Sequence, residues 1–535
     1  HAVQLGLVMF LGLAVFFHEA GRHDMRIDEQ CIYVGNTDIS FCSGHGQMMY
    51  EFGEETLASS VSENPQKILY HYVDLWVAGF FSNYLDIIPY YAYAIVYRSL
   101  GITITLLVFF ALFQSLVGTA IAAIGALLVL FLNNAFVVLV PSSGLDLLSA
   151  FSSNWPVYAE SSYLVCGVGI GLFWLLIRNG MTFSALVGLM LFGAMHSSFV
   201  VPGFLMAGLI LAMRLLTPSL LHYLGLETNW KQPLILFLAG VLPYVYVTLD
   251  GRGFPLHLED FGKLAYLSVH TFVRVGWTFV LSAPLWVGVL YMVLKKKPVE
   301  SRFIFLYGLV GVAGFGLLFA IFQSSNATKL FTAISTTILF PLGLWGLLHM
   351  TKSESSRLRT TSYALLALIV VTTLWSGLGS HQYRLVYDWE SIDGYKEVHT
   401  YSAEELNAMN ELVGHKGAFA VCEENRYNRK LIRYNEFLPL SSLFPKTFVF
   451  RMNQVAEDLG GTIEGRAWAD KTAVFQYRNT SASPEWALQA CLDWLKPDYI
   501  VTDRKEAFCS PTDLDLITTG KTIDFKQYRF HEIKN

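Results

Sequence analysis

Apolar residues dominate this chain in blocks of about 20, the length an α-helix needs to cross roughly 30 Å of hydrocarbon with its backbone amides paired internally. Such blocks lie near Ala2 to Phe17, Asp86 to Arg98, Ile102 to Val140, Ser161 to Ile177, Met181 to His196 and Phe199 to Leu216. They recur near Pro233 to Leu249, Thr271 to Leu294, Phe303 to Phe322, Leu330 to His349 and Ser362 to Leu378. The pattern predicts a polytopic α-helical membrane protein of about 11 transmembrane helices. The run from Ile102 to Val140 is interrupted only by Gln114, Gly118 and the pair Asn133-Asn134, so it reads as one crossing with a re-entrant piece or as two. After Leu378 the pattern turns polar, which divides the chain into a helical domain over 1–378, with an outer loop at 18–70, and a soluble α/β domain over 379–535.

Within that tail, Ser402-Ala-Glu-Glu405 forms a capping box that opens a helix to about Val413. Strands are expected over Ala418 to Cys422, Thr447 to Arg451, Thr472 to Tyr477 and Asp498 to Asp503, and an edge strand over Tyr528 to Ile533. Ser483-Pro484-Glu485 starts a further helix through Trp494. No phosphate-binding glycine loop of either nucleotide type is present.

Composition agrees with the pattern. Of 535 residues, 53% are hydrophobic and only 15% charged, and the mean hydropathy is +0.44, well beyond an ordinary soluble protein. A net charge of -5 provides no basic field for nucleic acid, which is excluded as a partner class. The chain opens at His1, without methionine and inside an apolar run, as expected where a few residues or a processed leader precede it.

Basic residues set the orientation, because short loops rich in Lys and Arg stay cytoplasmic. Lys295-Lys296-Lys297, the group Lys352, Arg357 and Arg359, and the span ends at Arg178 and Arg214 all fall on one side by parity. The 379–535 domain then lies outside a plasma or inner membrane, in the periplasm or extracellular space. Loops at Phe17 to Tyr70, Pro141 to Glu160 and Asp250 to His270 share that side.

Two outer segments carry candidate chemistry. The first loop holds Asp24, Asp28 and Glu29 among other charges, and carboxylates at a membrane surface act as general bases or hold a divalent cation. A solvated helix end accounts for the same charges. The second group is Arg252, His257, Lys263, His270 and Arg274, of which Arg274 lies just inside an apolar span and needs an anion or must snorkel. His196 falls at the outer end of its span, where packing is the alternative to ligand binding. Paired mid-span charges and an internal repeat are both absent, which argues against a secondary transporter.

One span, an outer loop with early carboxylates, about ten further spans and a terminal α/β domain together resemble the GT-C superfamily of integral-membrane glycosyltransferases. Asp86 to Gly101, with Pro89 inside and Tyr97-Arg98 before Gly101, is similar to that family's second span. The resemblance implies Asp28-Glu29, and Asp24 behind them, as base or metal ligands. It implies Arg252, Lys263 and Arg274, with His196 on the same face, as the basic residues that meet a lipid phosphate. It further implies a polyprenyl-phosphate sugar donor and a glycan, lipid or protein acceptor on the outer face. The competing expectation is a non-enzymatic membrane subunit, held among membrane lipids, that docks a protein partner through 379–535.

Overall fold

The computed structural model describes residues 32–33, 37–53, 72–135, 200–219, 283–295, 339–387, 400–413, 418–423, 443–444, 447–451, 472–478, 496, 498–503, 518–525 and 528–534, with isolated positions within 10–14, 169–188, 234–242 and 305–310. Nine helices are used below: α1 Thr37–Phe52, α2 Tyr72–Leu85, α3 Pro89–Gln114, α4 Thr119–Ala135, α5 Val200–Leu216, α6 Ala283–Lys295, α7 Phe340–Met350, α8 Ser356–Tyr387 and α9 Ala403–Val413. The strands are β1 Ile32–Tyr33, β2 Thr400–Tyr401, β3 Ala418–Glu423, β4 Thr447–Arg451, β5 Thr472–Arg478, β6 Tyr499–Asp503, β7 Thr518–Asp524 and β8 Tyr528–Ile533.

Helix α3 corrects the sequence reading of the early spans. It runs unbroken for 26 residues through Arg98 and Gly101, so the expected division between Asp86 to Arg98 and Ile102 to Val140 is not where the chain turns. Pro89 starts it, where a missing N–H costs nothing. At 1.5 Å per residue it spans about 39 Å, and among the described residues it is the one helix both long and apolar enough to cross a membrane. Its end is fixed by Ser115, whose hydroxyl donates to the Leu112 carbonyl at 2.7 Å, and by Arg178, which donates to Leu112 O at 3.3 Å and to the Ser115 hydroxyl. Orphan carbonyls of a last helical turn are thereby satisfied. The chain then reverses at Ser115 to Gly118 into α4, so the long Ile102 to Val140 run is two helices.

A core of Phe109, Phe113, Trp174, Met206, Leu285 and Trp345 joins α3 to α7 and neighbouring helices, with Trp174 edge-on to Trp345 at 4.9 Å. Close approach is the device that holds α6 to α7. A Cβ on Gly343 would sit 2.6 Å from the Leu285 carbonyl oxygen, Gly288 presses on the Gly343 backbone, and Gly346 presses on the Gly288 backbone. Where lipid tails are as apolar as leucine, helices associate by this kind of contact rather than by a hydrophobic drive. Leu285 meets Gly343 and the Tyr291 ring lies 6.0 Å from the His349 ring, so the two helices run parallel. This matches the parity that puts Lys295 and Lys352 on one side. Helix α8 folds back on α7, with the Ser362 hydroxyl 2.5 Å from Leu347 O. It continues to Tyr387, past the end of the apolar run at Leu378. Leu127, Leu211, Leu290 and Val371 remain exposed on their helices, as side chains that face lipid do.

At the other end of α3 lies a six-stranded sheet of order β4-β5-β3-β6-β8-β7, parallel from β4 to β6 and antiparallel thereafter. Its strands fall where the apolar runs of the tail predict them, with one correction. Tyr528 to Ile533 is not the edge, because Thr518 to Asp524 pairs outside it. That outermost strand is polar and exposed after Thr518, so hydrophobic periodicity does not reveal it. Arg529 grips Asp524 through two hydrogen bonds of 2.5 and 2.8 Å. The Thr519 hydroxyl, 2.8 Å from Glu532, and then Lys521 hold the Glu532 carboxyl below its usual range. A carboxyl lowered in this way contributes stability above its unfolded value and loses it as pH falls through the folded one. The Ser402 cap forms as expected: its hydroxyl accepts from the Glu405 N–H at 3.2 Å. Met409 and Leu412, three residues apart, bury against Val501 and Phe530.

The expected helix from Ser483 to Trp494 and the spans or parts of spans near Ala2, Thr271 to Val280 and Gly311 to Phe322 lie outside the described residues.

Gly343→Ala is expected to lower the unfolding free energy in detergent by about 1–3 kcal/mol through overpacking. Gly208→Ala, with nothing within 4 Å of the added methyl, leaves it unchanged or higher. Thermal unfolding of the two purified variants checks both directions.

Candidate functional site

Two helices absent from the sequence reading build the region where the helical body meets the sheet. Both α1, inside the expected outer loop, and α2, just after it, form a close pair: a Cβ on Gly46 would lie 2.5 Å from the Leu75 carbonyl oxygen. At 16 and 14 residues neither helix has the length of a span, so a window tuned to crossings passes over them. Above the glycines, Gln47 and Asn83 exchange side-chain amide hydrogen bonds of 3.0 and 3.3 Å, and Gln47 also donates to Glu51 at 3.4 Å. Asn83 in turn donates to Gly79 O at 2.9 Å. Asp86, at φ 53°, turns the chain from α2 toward α3, while the Ser82 hydroxyl donates to Ile87 O at 2.8 Å.

The first residues of α3 are not regular. Ala92 to Tyr97 form a π-helical turn, a conformation rare in proteins and concentrated at functional sites. It carries Tyr93 and Tyr97, whose rings stack at 5.6 Å, and delivers Arg98 one residue later. The Tyr93 hydroxyl donates to Asp74 Oδ2 at 3.2 Å. Asp74 is fully buried and Arg98 is 1% exposed. Ionisable groups are rarely sequestered without a task or a partner, because desolvating a charge is expensive. Tyr90, Tyr93, Met49 and Leu75 share one core with Tyr401, Met409, Val501 and Phe530 of the sheet region.

A second tie joins the first loop to the tail. Ile32 pairs with Tyr401 and Tyr33 with Thr400 in an antiparallel ladder, immediately before Ser402 caps α9. Beside α9, an open groove of about 680 Å³ runs between Glu404, Glu405, Glu411, Tyr499 of β6 and Phe525 just after β7.

Asp24, Asp28, Glu29, His196, Arg252, Lys263 and Arg274, the residues singled out by sequence, all lie outside the described residues. Gln47, Asp74, Asn83 and Arg98 are not among them. The signal for Asp74 and Arg98 is a charge embedded in an apolar run, Tyr72 to Leu85 in one case and Tyr90 to Phe113 in the other. Among the described residues, no three His, Cys, Asp or Glu side chains gather as metal ligands.

The described residues form a bundle of apolar helices with a mixed six-stranded sheet packed at the start of its longest helix. The chain is similar in structure to ArnT from Cupriavidus metallidurans in the apo state, at 11% identity and a TM-score of 0.49, covering 99% of this chain and 98% of that one. It is similar also to ArnT from the same organism bound to undecaprenyl phosphate, at 12% identity with the same coverage and TM-score. No family model matches the sequence, and no curated protein matches it.

Tyr93→Phe removes the donor to a buried carboxylate and is expected to cost about 1–3 kcal/mol, the range for leaving such a group short of a partner. A double-mutant cycle of Gln47→Ala with Asn83→Ala should give a coupling of about 0.5–3 kcal/mol, as residues in one network do. Thermal unfolding that is additive within error would show the amide pair to be idle.

Proposed function

We propose that the chain is a membrane glycosyltransferase of GT-C type that moves a sugar from a polyprenyl-phosphate donor to a glycan, lipid or protein acceptor on the outer face of the membrane. The observation that carries this reading is the ladder of Ile32 and Tyr33 with Tyr401 and Thr400. Asp28 precedes Ile32 by four residues, and a chain extends at most about 14 Å over that distance. The residues that directly follow the acidic segment, Ile32 and Tyr33, therefore meet the junction that buries Asp74, Tyr93 and Arg98, which supports a role for that segment there. The sheet stands at the end of α3 opposite the Arg178 contact, which favours an outer position for 379–535 given the basic residues at the inner end.

In this reading the Asp28 carboxylate takes the proton of an acceptor hydroxyl as its oxygen forms a bond to the anomeric carbon. The bond from that carbon to the donor phosphate oxygen breaks, the electron pair leaves with the lipid phosphate, and configuration inverts. Arg252, Lys263 and Arg274 stabilise the phosphate charge that develops, with His196 at the same face. Glu29 and Asp24 assist Asp28 as acidic partners, and their oxygens suit a divalent cation of the Mg²⁺ or Mn²⁺ type.

The acidic groove beside α9 favours a second reading, a membrane subunit that docks a basic partner through 379–535. The two readings separate on one substitution. Asp28→Asn is expected to lower transfer from a polyprenyl-phosphate sugar in lipid vesicles by about 10²-fold or more, the scale of a lost general base, with the unfolding temperature unchanged. Full activity in both Asp28→Asn and Glu29→Gln would rule the catalytic assignment out. A chelator titration of the same assay tests the cation.

A further inference from the structure

The end of the helical body remote from the sheet carries a feature that no step of the proposed transfer uses. Helices α6 and α7 run parallel and finish together there. The Lys295 ammonium stands 6.0 Å from the centre of the Tyr291 ring, and that ring lies 6.0 Å from the His349 ring. Lysine and histidine therefore both neighbour one aromatic ring. His349 is half-buried, and its Nδ1 is enclosed with no hydrogen-bond partner among the described residues. Three residues on, Lys352 projects from the turn into α8, its N–H bonded to His349 O at 3.1 Å. Lys352, Arg357 and Arg359 are exposed, and Glu354 is the one carboxylate between Thr351 and Arg359. Tyr363, on the next turn of α8, is also exposed.

We infer that this end of α6, α7 and α8 is a binding site for the phosphate of an anionic phospholipid in the leaflet opposite the sheet. Three observations select a lipid over other anions. The cations sit at the ends of helices whose leucines face outward, so an occupant that reaches them carries acyl chains alongside Leu290 and Leu294, which are exposed on the same helix. Tyr291 and Tyr363 are amphipathic rings of the kind that belong at headgroup depth. The charge balance is cationic, and lysines near an anionic leaflet each contribute attraction that falls off within a Debye length. Neutralising the two helix C-termini accounts for part of the charge, since cations there complement the macrodipole. It does not account for the aromatic pair beneath Lys295 or for Arg357 and Arg359 in the first turn of α8, where that dipole is unfavourable to them.

The inference stands apart from the transferase reading and is tested without any sugar. The full-length protein in mixed vesicles of phosphatidylglycerol and phosphatidylcholine is extracted with its bound lipid, and the retained species are weighed by native mass spectrometry. Wild type should retain phosphatidylglycerol in preference. Lys295→Gln and Lys352→Gln should each lower the preference about fivefold, the effect of one cation near an anionic surface, and the double variant about 25-fold if the effects add. Lys295→Arg with Lys352→Arg should keep it, which guards against a variant that merely unfolds. Equal retention of the two lipids, an undiminished preference in the double glutamine variant, or displacement of the lipid by millimolar inorganic phosphate would each overturn the inference. A fall in unfolding temperature with the lipid preference intact would assign the lysines to the helix ends alone.

Discussion

A single apolar core made from both ends of the chain is what the rest of the junction depends on. Met49 and Leu75 come from two short helices near the N-terminus, Tyr90 and Tyr93 from the start of α3, and Tyr401, Met409, Val501 and Phe530 from the tail. Helices of 16 and 14 residues are marginal in isolation, since nucleation is costly and most helical stability comes from tertiary packing. Here α1 and α2 pack on one another and on the start of α3, and residues of the sheet and of α9 close the same core. The polar groups within the core follow from this. Once α1 and α2 are pressed together at Gly46 and Gly79, the Gln47 amide has lost water and finds its partner in the half-buried Asn83.

Helix α3 converts that local core into a long-range relation. Its first turns are pinned by the sheet-side core and its last by Phe109 and Phe113 in the helical core. The two ends therefore differ in chemistry: stacked tyrosines, a buried aspartate and a buried arginine at one, serine and arginine capping the carbonyls at the other. The π-turn sits at the pinned end. A widened turn shifts the face presented by every later residue, so Tyr93 and Tyr97 can address the sheet side while Phe109 and Phe113 address the bundle.

Legibility in the sequence follows how much of each signal is local. The Ser402 cap and the strands from Ala418 to Asp503 are readable because N-cap chemistry and buried β-runs are encoded in a few adjacent residues. Strand Thr518 to Asp524 is not, because an outermost strand that is exposed on both sides has no apolar alternation to show. The extent of α3 is hidden for a different reason. Arg98 looks like a boundary to any rule that counts charges, and only the surrounding packing makes it an interior residue. Helices α1 and α2 escape because their burial comes from one another, from the start of α3 and from core residues of the tail, information no window contains.

The distribution of charge between the two ends argues for where chemistry resides. Cations at the end of α6, α7 and α8 are exposed, and an exposed lysine or arginine costs almost nothing to keep. Asp74 and Arg98 are the reverse: both are withdrawn from water in an apolar core, where a leucine and a methionine would pack as well without the desolvation penalty. Asp74 lies on α2 and Arg98 directly follows the irregular turn of α3, and buried polar groups in such a low-dielectric setting interact strongly with their neighbours. Two such groups at one junction therefore mark the sheet end of α3, rather than the exposed basic end, as the place to test for chemistry.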